Sequence, residues 1–130
     1  MLSTAQDQRG DEVRVVVIDD TSDIRLLLTT VLTRSGMQVV GEAGDGRAGV
    51  DLVRAERPDV VLLDLAMPVM DGVEALPLIR ALVPDAQIIV LSAFNGAVSD
   101  QVLQSGADGY LVKGTPLKNI VAYVEERLAG

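Results

Sequence analysis

Five residues of this chain carry reactive side chains and share one kind of position. Asp19 and Asp20 follow the apolar run Val13–Ile18, and Asp64 follows Asp59–Leu63. Ser92 follows Gln87–Leu91, and Lys113 follows Asp108–Val112. The chain has no histidine and no cysteine. Imidazole and thiolate metal sites, disulfides, cysteine nucleophiles and Ser-His-Asp triads are therefore excluded. Carboxylates, hydroxyls, two lysines and backbone groups remain for chemistry. Three carboxylates brought together repel one another unless a cation lies between them. A hard cation with oxygen ligands suits them. Mg2+ takes a few carboxylates, keeps some waters and binds a substrate phosphate. Lys113 and Ser92 add an ammonium and a hydroxyl donor on the far side. Around one aspartate, such a set makes a phosphoryl-transfer site. With no separate base available, Asp64 itself is the expected nucleophile, forming an acyl phosphate.

Each residue alone has a plainer explanation. Asp19 and Asp20 precede a helical pattern and suit helix caps. Asp64 suits a turn, and loop serines such as Ser92 commonly cap something. A lysine is ordinarily a solvated surface group, and Lys118 is assigned to that role. What favours chemistry is the recurrence of these groups at successive strand ends.

The elements that place them alternate between two periods. Val13–Ile18 is β-branched and of strand length. Ile24, Leu27, Leu28, Val31 and Leu32 then share one helix face, closed by Gly36 as a C′ residue. Met37–Ala43 is a second strand. Asp45 caps a second helix that must end before Pro58. Asp59–Leu63 is the third strand. Gly72–Leu82 is helical, with Val73, Leu76, Ile79 and Val83 apolar, and Pro77 predicts a kink or a late start. Gln87–Leu91 is the fourth strand. Asn95–Ser105 is a weak helix with Val98 and Val102 inward. Asp108–Val112 is the fifth strand. Thr115 caps the last helix, with Pro116 at its first position. Leu117, Ile120, Val121, Val124 and Leu128 form its buried stripe.

Five strands in strict alternation with five helices predict a doubly wound parallel sheet. The strands are nearly continuous apolar runs, as helices on both faces require. Ligands of such sheets bind at the carboxyl ends of the strands, where the five residues fall. The 130 residues, 48% of them hydrophobic, suit one domain with one core. Residues 1–12 are expected to be a flexible tail and 13–130 the domain. Net charge is −8, from 11 Lys and Arg against 19 Asp and Glu, which disfavours nucleic-acid binding by this chain. No apolar run approaches a membrane span and no signal-peptide pattern opens the chain. A cytoplasmic location is expected.

The segments VVVIDD at 15–20, DVVLLDLAMPVMDG at 59–72, IIVLSA at 88–93 and GADGYLVK at 106–113 resemble the receiver domain of bacterial two-component response regulators. The resemblance spans about Val13 to Leu128. It implies a CheY-like (flavodoxin-like) fold with strand order 2-1-3-4-5. It also implies roles: Asp64 as phosphoacceptor, and Asp20, Asp64 and the Ala66 carbonyl as Mg2+ ligands. Asp19 would ligate directly or through water. Ser92 matches the switch hydroxyl, Lys113 the phosphate-binding lysine and Tyr110 the switch aromatic. Ala66 and Phe94 stand at positions that tune dephosphorylation in the family, and neither can act as a base. Lys113 precedes Gly114 where many receivers have proline, which removes the usual reason for a cis peptide there.

GEAGDGRAGVDLV at 41–53, LSAF at 91–94 and SGADGYLVK at 105–113 look most like the NarL/FixJ-type branch. The expected function is a signalling switch, not an enzyme beyond self-phosphorylation and self-dephosphorylation. The expected partners are a sensor histidine kinase or phosphotransfer protein and, through helix 4, strand 5 and helix 5, a downstream protein or a second copy. An alternative is the receiver half of a NarL/FixJ-type regulator whose helix-turn-helix domain lies outside this chain. A remoter one is a Mg2+-dependent phosphatase, against which stands Ala66 where haloacid-dehalogenase-type enzymes place a second aspartate. A flavodoxin-like cofactor binder lacks a phosphate loop and, with only Phe94 and Tyr110 near the site, aromatics to sandwich a flavin.

Overall fold

Apolar strands of four to six residues, separated by helices, leave the backbone one economical solution: parallel pairing, with each crossover passing over a face. The computed structural model, which describes residues 12–67, 69–93 and 97–129, adopts it. The elements are β1 (Arg14–Ile18), α1 (Ser22–Arg34), β2 (Gln38–Ala43), α2 (Gly46–Glu56), β3 (Val60–Asp64), α3 (Gly72–Leu82), β4 (Gln87–Ser92), α4 (Ala97–Gln104), β5 (Gly109–Val112) and α5 (Leu117–Ala129). All strand pairs are parallel, in the order β2-β1-β3-β4-β5. The predicted architecture and strand order are thus the observed ones. The expected tail, apart from Glu12, falls outside the described residues.

Strand periodicity divides the core in two. Val16, Ile18, Val61, Leu63, Ile88 and Val90 face α2, α3 and α4. Val15, Val17, Leu62, Ile89 and Leu91 face α1 and α5. Each of these side chains is buried, and full burial of one contributes about 1.5–3 kcal/mol.

Several helix ends follow their residue chemistry. Gly36 takes φ +94 immediately after the Ser35 C-cap. Asp45 accepts the Ala48 N–H at 2.8 Å, and Asp71 accepts the Glu74 N–H at 2.9 Å. The helix α2 stops at Glu56, two residues before Pro58.

Other expectations need correction. The stripe proposed for α1 is too wide: Leu28 and Leu32 are buried, whereas Ile24 and Leu27 are 37% and 48% exposed. They sit at the end of the helix that overhangs the sheet's carboxyl edge, where there is less sheet beneath them. Val73 and Leu128 are likewise exposed, and Ala75 takes the inward place on α3. Pro77 does not delay α3, which begins at Gly72 and runs through it. The Thr115 hydroxyl donates to the Val112 carbonyl at 2.6 Å. Pro116 lies one residue ahead of α5, its carbonyl accepting the Ile120 N–H at 3.1 Å. Asn95 and the side chain of Val98 lie outside the described residues, while Val102 is buried as expected.

Candidate functional site

Strand register brings the five residues together. Ile18 pairs with Leu63, so Asp19 and Asp64 stand side by side one step further along β1 and β3. Asp64 pairs with Leu91, and Ser92 with Val112. Ser92 and Lys113 therefore follow in a diagonal across β4 and β5. The Lys113 N–H extends the ladder, donating to the Ser92 carbonyl at 2.7 Å.

At this edge the carboxylates converge. Asp19, Asp20 and Asp64 each offer an oxygen, all lying within 4.8 Å of one another. Asp19 and Asp64 are each 1% exposed, while Asp20 reaches solvent. Lys113 places Nζ 3.0 Å from Asp64 Oδ2 and 3.8 Å from Asp19 Oδ2. Asp64 Oδ1 accepts the Ala66 N–H at 3.2 Å, and Asp19 Oδ1 accepts the Thr21 N–H at 2.9 Å. Asp19 Oδ2 is buried and has no hydrogen-bond partner among the described residues. Lys113 Nζ at 3.8 Å is an ion-pair partner beyond hydrogen-bond distance, so a further cation among the carboxylates would offset the cost of burying this oxygen. The donor set, all hard oxygen and open to water at Asp20, suits Mg2+.

Burial pushes the Asp64 carboxyl above the ordinary carboxylate value, and the charge on Asp19 raises it further. The hydrogen bond and charge of Lys113 and the Ala66 N–H pull the other way without cancelling the rise. A raised carboxyl pKa means that the folded chain holds this proton more tightly than the unfolded one. Its stabilising contribution is complete below the unfolded value of about 3.9 and is lost as pH rises through the folded value. In metal-free protein, the stability of the parent relative to Asp64→Asn should therefore fall as pH rises from about 3.9 through the folded value. Urea unfolding of both proteins in EDTA at several pH values measures this. A difference that stays constant with pH would contradict it.

Three glycine and loop features support the site. A Cβ on Gly72 would lie 2.2 Å from the Asp64 carbonyl oxygen and 2.7 Å from Leu65 Cα. Backbone cannot rotate away as a side chain can, so only glycine lets α3 start against the strand that carries Asp64. In the loop between them, Val69 takes φ +67, a costly conformation for a β-branched residue. The Lys113–Gly114 peptide is trans, with Gly114 at φ +95.

Tyr110 packs partly buried against the core cluster shared with α2, α3 and α4. Its hydroxyl oxygen is buried with no hydrogen-bond partner among the described residues. Ser92 is 2% exposed. Lys118 is exposed, as expected, and Phe94 lies outside the described residues.

Two residues that touch the backbone of the site, Gly72 at the Asp64 carbonyl and Arg25 at the Asp19 carbonyl, escaped sequence reasoning. Gly72 was legible only as a helix start. Arg25 was hidden inside an apolar helical pattern, although a cation so near a helix N-terminus opposes the dipole and signals a local partner.

A parallel sheet in this order, with an acidic pocket and a lysine at its carboxyl edge, defines a CheY-like domain. The chain belongs to the response regulator receiver domain family, whose sequence pattern matches residues 15–125. It is 37% identical to the chemotaxis protein CheY of Thermotoga maritima over 101 residues, covering 77% of this chain and 84% of that protein. It is 42% identical to the transcriptional regulatory protein PrrA of Mycobacterium tuberculosis over 117 residues, which are 88% of this chain but 49% of that one. The signal receiver domain of the response regulator NarL from Mycobacterium tuberculosis superposes with a TM-score of 0.84 at 37% identity, covering 92% of this chain and 98% of that one. The CheX–CheY–BeF3–Mg2+ complex from Borrelia burgdorferi gives a TM-score of 0.85 at 27% identity, with 89% of each chain covered. Among the described residues, no helix is long and apolar enough to cross a membrane.

Proposed function

We propose that this receiver domain accepts a phosphoryl group on Asp64 and converts it into a change of its α4–β5–α5 face. The observation that carries the reading is the buried Asp64, with Lys113 Nζ at 3.0 Å and two further carboxylates beside it. Asp19, Asp20, Asp64 and the Ala66 carbonyl would hold Mg2+, which when bound neutralises charge on the transferring phosphoryl oxygens. An Asp64 oxygen attacks phosphorus, and the donor's bond to phosphorus breaks as the acyl phosphate forms. Lys113 pairs with the new phosphoryl oxygens, and the Ala66 N–H keeps the carboxylate in line. The CheY relative was solved with BeF3 and Mg2+, which supports the same chemistry here.

The donor reaches Asp64 past an apolar rim. Ile24 and Leu27 of α1 line a hollow with Lys113, Gly114, Thr115 and Leu117, directly beside Asp19. A phosphohistidine-bearing kinase or phosphotransfer protein would lay an apolar helix face there.

Output follows from Ser92 and Tyr110. A phosphoryl group offers the Ser92 hydroxyl a new acceptor, and an inward Ser92 vacates space toward Tyr110. The Tyr110 hydroxyl is buried with no hydrogen-bond partner among the described residues, an arrangement that costs about 1–3 kcal/mol and so favours a second position of the ring. The output partner is a downstream protein or a second copy. Because the chain spans about half of PrrA, a transcriptional output module outside this chain is a second reading.

Incubation with acetyl phosphate and Mg2+ should add one phosphoryl group by intact mass, and EDTA should prevent it. Protein that stays unlabelled under saturating donor and Mg2+ would overturn the reading.

A further inference from the structure

Asp20 is the exposed member of the acidic cluster. Its one described side-chain contact is a long one, with the Thr21 hydroxyl 3.5 Å from Oδ1. No short hydrogen bond among the described residues orients this exposed side chain, so the direction in which it leaves the backbone depends on how the Asp19–Asp20 segment is held. Two groups grip the backbone of Asp19. Its N–H donates to the Ala43 carbonyl at 3.0 Å. Its carbonyl accepts from Arg25 Nη1 at 2.6 Å, a contact made from the first turns of α1. Arg25 is itself anchored, since Nε meets Glu42 Oε1 on β2 at 3.2 Å and the side chain is only 21% exposed. Gly44 leaves room for it: a Cβ there would stand 3.3 Å from Arg25 Nη1.

We infer that Arg25 is a positioning residue for the metal site, fixing the Asp19–Asp20 peptide so that the Asp20 carboxylate points at the cation. This rests on the reading of Asp19, Asp20 and Asp64 as Mg2+ ligands. Arg25 touches no ligand oxygen in the described contacts; it acts through the carbonyl and through Glu42. The planar guanidinium presents Nε and Nη1 to the two partners in a fixed fork, whereas an ammonium is a compact charge on a flexible stem and holds two acceptors less rigidly.

Electrostatics and positioning predict opposite signs. A positive charge near the cluster opposes Mg2+, so simple removal of the Arg25 charge should tighten binding. Loss of a group that orients a metal ligand should weaken it, by about tenfold. Calorimetric titration with Mg2+ alone distinguishes them. Arg25→Met, which keeps the stem and removes the donors, should bind Mg2+ about tenfold more weakly than the parent. Arg25→Lys keeps the charge and should also bind more weakly, by a smaller factor. Thermal unfolding in EDTA reports whether each variant is folded, and Arg25→Lys carries the test if Arg25→Met is not. Asp20→Asn serves as the reference for a lost ligand. Unchanged or tighter Mg2+ binding in a folded Arg25 variant overturns the inference. A parent that binds no Mg2+ overturns the reading of the site and this inference with it.

Discussion

Asp64→Asn is expected to accept no phosphoryl group from acetyl phosphate under conditions that label the parent once. The substitution keeps the volume of a side chain that is 1% exposed. It replaces a carboxylate oxygen by an amide that cannot form the acyl phosphate. Asp19 and Asp20 remain, yet neither can substitute. Lys113 lies 3.8 Å from Asp19 against 3.0 Å from Asp64, and the Ala66 N–H is bonded to Asp64. The fold should survive, because the amide removes a charge that burial, and after it the neighbouring Asp19, already disfavours. Intact mass after incubation with donor and Mg2+ decides the matter. A labelled Asp64→Asn protein would move the acceptor to another residue.

Lys113→Ala should slow phosphorylation by about a hundredfold, the usual cost of losing one donor to the charge that develops in a transition state. The same variant should bind Mg2+ more tightly than the parent. Lys113 is the cation now paired with Asp64 and close to Asp19, and its removal leaves those carboxylates without a competing positive charge. The opposite directions separate the proposed role from general damage, which would weaken both properties. Labelling time courses by intact mass, with Mg2+ titrations alongside, measure the two. Near-parental labelling at saturating Mg2+ would remove Lys113 from the phosphoryl site.

Much of the molecule was legible because local chemistry and tertiary packing agree. Val15–Ile18, Val60–Leu63 and Ile88–Leu91 are too short for helices and apolar on both faces, so burial between helix layers was the one stable arrangement open to them. Asp45, Gly36 and Pro58 mark helix ends by mechanisms that act within a few residues. Periodicity failed on Ile24, Leu27 and Leu128, because a helix pattern records which side chains share a face and not where the sheet beneath it stops. Thr115 falls one residue short of the cap position, because the Pro116 carbonyl accepts the first backbone bonds of α5, a boundary that the residue types leave open by a residue.

By itself, the amino-acid order determined the ten elements, the class of sheet and the placing of Asp19, Asp20, Asp64, Ser92 and Lys113 at or just past strand ends. Each of these depends on interactions between residues close in sequence, or on the general rule that ligands meet a parallel sheet at its carboxyl edge. The tertiary structure decided the rest. It set the register that puts Asp19 beside Asp64, the 3.0 Å approach of Lys113 and the burial that raises Asp64. It also set the close contact that makes Gly72 necessary and the reach of Arg25 to the Asp19 carbonyl. These depend on distances between residues far apart in the chain, and periodicity carries no such distances: only packing of the assembled sheet and helices sets them.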